Sequence, residues 1–100
     1  MTAAAEQGPF SFPARIWDQE QTRQILRDRD IRNLLQLAHQ NGVSQQRIGS
    51  ATGIAQGHIS DIMTGRRQVT SLQIFERIAD GFAMPDDARM PLGLAPKKTR

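Results

Sequence analysis

The chain contains no cysteine. That excludes disulfides, thiolate-held metal and cysteine catalysis, and it fits a reducing compartment. No apolar run approaches the roughly 20 residues of a membrane-spanning helix, and the first residues lack the basic-then-apolar pattern of a secretory signal. A cytoplasmic location is the expectation. Strand-type alternation of polar and apolar residues is missing as well. No pair of carboxylates, no Ser–His–Asp set and no phosphate-cradling loop stands out, so neither catalysis nor a cofactor or metal is expected. One hundred residues fit one small domain. Its apolar residues suffice for one core and leave little room for a buried catalytic pocket.

What is present is arginine and short helical patterns. The net charge is +3, carried mostly by arginine, a side chain that meets phosphates and guanine edges with two hydrogen bonds at once. A charge of this size tilts the chain toward an anionic partner without specifying one. Residues 1–14 read as a flexible N-terminal arm, with Phe10 and Phe12 available to dock on something, and residues 91–100 as a flexible tail or linker. Between them, residues 15–90 read as an all-α compact bundle of five or six short helices. Asp18 is a plausible N-cap for "QEQTRQILRDR", and Asp30 for "IRNLLQLAHQ", whose Ile31, Leu34, Leu35 and Ala38 recur with helical spacing. Asn41–Gly42 ends that helix. Ser44 caps the next, "QQRIGSAT", and Gly65 stops the one after. Thr70 or Ser71 caps "LQIFERIADGF", with Thr70 and Gln73 as a capping box. Leu72, Phe75, Ile78, Ala79 and Phe82 form its inner stripe. Pro85 introduces a last short turn through "DDARM".

The stretch "GSATGIAQG" places glycines at 49, 53 and 57, four apart. In an apolar segment that spacing would mark a helix-pairing seam. The surrounding residues favour another reading. Ile48 and Thr52 share a side of one short helix. Ala55, Ile59, Ile62 and Met63 share a side of the next, and Ile54 sits between them to plug the gap. Gly53 then supplies a turn with positive φ, and Gly49 leaves clearance where the helices cross.

The window "QQRIGSATGIAQGHISDIMT" resembles the helix-turn-helix of the lambda-repressor/Cro-like (XRE) family. "GVSQ" before it, "GRR" after it and "IFERIADGFAMP" extend the resemblance over roughly 31–87. The upstream "RIWDQEQTRQILRDRDI" is similar to the extra N-terminal helix of some actinobacterial regulators, whose DNA-binding domain is often followed by a helical-repeat region. Some family members place a basic residue at the position of Ala38 and an acid at that of Met63. The apolar pair here is mutually consistent, because it avoids the desolvation cost of an ionic one.

The resemblance implies that helix 55–64 enters the major groove, N-terminal end leading. The base-reading residues would be Gln56, Gly57, Ser60 and Asp61. A glutamine pairs with adenine through two hydrogen bonds, and an aspartate accepts from cytosine. Phosphate contacts would come from Ser44 and Gln45 at a helix N-terminus, from Arg66 and Arg67 after the reading helix, and from Arg47, His58, Thr64 and Thr70. Ile48, Ile59 and Ile62 are core residues that hold the crossing angle. Arg23, Arg27, Arg29 and Arg32 read as a solvated face interleaved with Asp28 and Asp30. Asp86 and Asp87 read as first-turn dipole partners, and His39 as an exposed residue near a helix end.

The function that follows is a sequence-specific regulator of transcription bound to double-stranded DNA. The expected form is a homodimer on an inverted-repeat operator, associated with the nucleoid. Met84, Met90, Leu92 and Leu94 exceed the needs of the inner stripes and are the expected dimer surface. Two other functions fit the same residues. One is an antitoxin-like DNA-binding protein whose main partner is a toxin. The other is a protein-interaction module that has lost DNA binding, a reading to which Gly57 and Asp61 give some weight.

Overall fold

The computed structural model describes residues 10, 12 and 14–94. Among the described residues it has seven α-helices and no strand. The helices are α1 (Ala14–Asp18), α2 (Glu20–Arg27), α3 (Ile31–Gln40), α4 (Gln45–Thr52), α5 (Gln56–Met63), α6 (Leu72–Gly81) and α7 (Asp86–Arg89). A 3-10 turn, Met90–Leu92, follows α7 directly. Among the described residues no helix is long and apolar enough to cross a membrane.

Short polar side chains start the helices where the sequence places them. Asp30 accepts from the Asn33 amide at 3.2 Å, Ser44 from the Arg47 amide at 3.0 Å, and Ser71 from the Gln73 amide at 3.2 Å. Each satisfies an N–H that the helix itself leaves over. The capping box with Thr70 does not form, because Ser71 takes the cap and Thr70 lies one residue outside. Asp18 caps nothing. The chain turns extended at Gln19, so Asp18 ends α1, and its carboxylate meets Arg23 at 3.3 Å. The break lets Ile16 and Trp17 enter the core, each 5% exposed.

α5 sits against both α3 and α4, and α6 backs α4. Leu34, Leu35, Ala38, Ile48, Ile59, Ile78, Ala79 and Phe82 are completely buried at their meeting point. The Ala38 and Met63 positions are both inside. Leu72 is not part of the stripe. It is the first residue of α6, on the open end of the helix, and is 56% exposed.

The packed region reaches past both expected boundaries. Phe10 donates its backbone N–H to the Gly81 carbonyl at 3.0 Å and lies 4.6 Å, ring to ring, from Phe82. Phe12 is buried between Trp17 and Phe82. The end of the expected arm is therefore core, as aromatic rings of this size demand a partner face. At the other end Met84 and Leu92 are buried, and Leu94 packs partly against the core. Only Met90, of the four residues expected to form a dimer surface, is strongly exposed. The 3-10 turn folds back on α2, and this turns Leu92 inward. The remainder of the arm and residues 95–100 lie outside the described residues.

Charged groups organise the outside. Arg23 bridges Asp18 and Asp87, the latter at 3.1 Å, and Arg27 meets Glu20 at 2.6 Å. The hydrogen bonds from Asp87 and Asp18 raise the Arg23 pKa above its already high ordinary value. Arg89 is the one arginine taken inside among the described residues, its side chain 4% exposed and paired to Asp80 at 3.1 Å. Thr22 is also fully buried, and its hydroxyl has no hydrogen-bond partner among the described residues.

Candidate nucleic-acid interface

The turn between α4 and α5 is held from four directions. Gly53 adopts φ 74°, a left-handed conformation that costs a side-chain-bearing residue about 1–2 kcal/mol. At Gly49 a Cβ would stand 2.9 Å from the Ile54 carbonyl oxygen. The backbone of the turn thus lies directly on α4, and Gly49 gives the clearance expected of it. Ile54 fills the gap, 5% exposed. Thr52 completes the turn: its hydroxyl donates to the Ile48 carbonyl at 2.8 Å and accepts from the Ile54 amide at 3.3 Å.

Ala55 does not join the inward cluster. It is the extended N-cap residue of α5 and is exposed, so the first helical turn begins only at Gln56. Among the described residues no side chain caps this end. Its first N–H groups stay available to water or a partner, at the positive end of the helix dipole.

Ile59, Ile62 and Met63 bury one side of α5. The other side carries Gly57, Ser60, Asp61 and Thr64, which follow one another at helical spacing. Gln56, Gly57 and Thr64 are exposed; His58, Ser60 and Asp61 are half-buried. The fold therefore brings the four expected base-reading residues to one outward face and its leading end.

The chain leaves α5 wrapped around Asp61. The Asp61 carbonyl accepts the backbone N–H groups of Arg66 at 2.9 Å and Arg67 at 3.2 Å, and the Thr64 hydroxyl at 3.3 Å. The Arg66 guanidinium stands 3.9 Å from the Asp61 carboxylate, which offsets the one acid on the face. Both arginines and Thr70 are exposed. Ser44 spends its hydroxyl on capping α4, beside half-buried Gln45. Arg47 is drawn elsewhere: its guanidinium carbon lies 5.4 Å from the Phe10 ring centre, a cation–π contact.

Residues outside the expected set position this face. Arg32 and Gln36, on α3, both donate to the Met63 carbonyl, at 3.2 and 3.0 Å, and so close the C-terminal end of α5. Arg77, on α6, donates to the Gly53 carbonyl at 3.3 Å. A threonine four residues after Ile48 carried a local signal, since such hydroxyls return to the i−4 carbonyl. Arg32, Gln36 and Arg77 act across long sequence separations, and no local pattern marks them.

A family model described as a helix-turn-helix domain matches residues 32–92. None of the curated proteins and none of the solved structures with which the chain was compared matches it.

Proposed function

Because this chain belongs to the helix-turn-helix domain family, of the Cro-like type, we propose that it is a sequence-specific regulator that reads double-stranded DNA with α5. The observation that carries the reading is the outward face of α5. It offers short polar side chains at an uncapped N-terminal end, on a helix packed against α3 and α4, with its last carbonyl and the turn before it both held by side chains. Such a helix fits the major groove, with Gln56 leading and Ser60 and Asp61 behind it. Ser44, Gln45, Arg66, Arg67 and Thr70 flank it as phosphate contacts, with Thr64 and His58 at its margins; Arg47 is a weaker candidate because Phe10 holds it.

The protein acts as a homodimer on an inverted repeat. One molecule measures 33 × 32 × 24 Å. Such a dimer has to hold its two α5 helices about 34 Å apart, one turn of the duplex. Its place in the cell would be the cytoplasm, on the nucleoid. Selection of bound duplexes from a random pool tests all of this at once: a recovered palindrome supports it, and an unenriched pool refutes specific reading.

Two variants separate reading from anchoring. Gln56→Ala weakens binding to the selected site by about 1–3 kcal/mol and relaxes preference at one base pair. Arg66→Ala weakens every duplex alike and reduces the salt slope by about one. Equal behaviour of the two variants across a mismatch panel would contradict these roles.

Gly57 supplies a further test. A Cβ there would meet nothing within 4 Å, so no packing inside the molecule calls for glycine. Gly57→Ala raises stability by about 0.5–1 kcal/mol, because alanine is the better helix former. If the glycine allows α5 to approach base edges closely, the same variant binds the selected duplex more weakly. Thermal melts and duplex titrations give both values, and unchanged binding would remove close approach as its purpose.

A further inference from the structure

A cleft of about 570 Å³ opens between the α2–α3 turn and the segment that joins α5 to α6. That volume lies within the roughly 300–1,000 Å³ of small-molecule pockets. Arg29 lines it from the α2–α3 turn, Arg67 from the α5–α6 segment and Arg32 from the first turn of α3. The buried edges of Ile31 and Phe75 supply apolar surface.

Charge is unbalanced there. Arg23, Arg27, Arg66 and Arg89 each meet a carboxylate, whereas among the described residues none pairs with Arg29, Arg32 or Arg67. Two carboxylates share the rim, and both are turned to other partners. Asp30 accepts from the Asn33 amide and from its side chain at 2.6 Å, and Asp28 accepts from Gln24 at 3.0 Å. Arg32 and Arg29 use their Nε atoms on the carbonyls of Met63 and Pro91, at 3.2 and 3.4 Å. That leaves the paired terminal nitrogens of both, the part of a guanidinium that grips a carboxylate.

The geometry points to a binding site in this cleft for a small organic polyanion of the di- or tricarboxylate class, held by Arg29, Arg32 and Arg67. Two or more acidic groups answer arginines that come from different walls, and a compact carbon body covers the apolar edges. Arg67 and Thr70 also stand in the phosphate-contacting set, and Arg32 closes the end of α5. A filled cleft therefore opposes duplex binding, a consequence that rests on the proposed function.

The test is an amide-resolved NMR titration of the full chain with citrate at constant ionic strength, with sulfate as the control anion. Saturable shifts are expected at the amides of Ile31, Arg67 and Thr70. Arg29→Gln and Arg67→Gln each weaken citrate binding by about tenfold, the worth of one lost charged hydrogen bond. Unsaturated shifts, equal shifts with sulfate, or undiminished affinity in both variants would overturn the site. Unmoved α4 amides in the variants certify the fold. This titration needs no duplex, so its result is independent of DNA reading. With a selected duplex, citrate at a concentration that half-fills the wild-type site weakens the wild type more than Arg29→Gln; equal loss in both overturns the coupling.

Discussion

Leu92→Ala is expected to destabilise the protein by about 3 kcal/mol, the middle of the range for truncating a buried leucine. Leu92 is completely buried, in the 3-10 turn that packs on α2. The truncation removes about three buried carbons and leaves a cavity, because α2 and the turn are tied together elsewhere and collapse only partly. One tie, from the chain just past α2, is the Arg29 guanidinium on the Pro91 carbonyl. Met90, two residues earlier and 58% exposed, is the control: Met90→Ala changes stability by less than about 0.5 kcal/mol. Urea unfolding at several protein concentrations decides the matter. A core residue gives a loss that is independent of concentration, whereas a residue at a dimer surface gives one that shrinks on dilution, as both proteins become monomeric. A loss of under about 1 kcal/mol for Leu92→Ala would place this turn outside the core.

Gly81→Ala is expected to cost about 2–3 kcal/mol, although alanine is the better helix former by about 1 kcal/mol. A Cβ on Gly81 would stand 2.7 Å from the Ala51 carbonyl oxygen and 2.8 Å from a Thr52 methyl. The first obstacle is backbone and cannot swing aside. α6 would have to withdraw from the end of α4, next to the turn that aims α5. The Gly81 carbonyl also receives the Phe10 N–H, so the N-terminal segment would shift with it. The opposite sign expected for Gly57→Ala makes the comparison decisive. Both glycines are helical; one is walled in by a neighbouring helix and the other opens on solvent. Thermal melts of the two variants should move in opposite directions, with Gly81→Ala lower by about 10 °C or more for a domain of this size. A Gly81→Ala variant as stable as the wild type would show that the two helices do not approach so closely.

The two glycines also show where local reading ends. Gly49 and Gly81 do the same work, clearing the path of a crossing backbone. Gly49 was legible because the backbone it clears lies only a few residues on, at Ile54. The obstacle at Gly81 is Ala51, thirty residues back, and nothing near Gly81 announces it. The site divides in the same way. The outward face of α5 could be read on a helical wheel, since Ile59, Ile62 and Met63 determine the buried side and leave Gly57, Ser60, Asp61 and Thr64 opposite. Whether Arg47 faces that side depends on Phe10, and whether Arg32 is idle depends on the Met63 carbonyl.

By itself, then, the sequence determined what depends on near neighbours. Helix starts at Asp30 and Ser44, the turn at Gly53, the buried stripe of α3 and the inward Ile59, Ile62 and Met63 of α5 all rest on interactions within a few residues, where chain connectivity leaves little to choose. The tertiary structure decided the fate of both chain ends. Phe10, Phe12, Met84 and Leu92 are apolar residues in segments without helical periodicity, equally compatible with solvent, a partner or the core. They go inward because α2, α6 and Trp17 present apolar surface that only their burial removes from water, at about 25 cal/mol for each Å² covered. That surface exists only once the helices have packed.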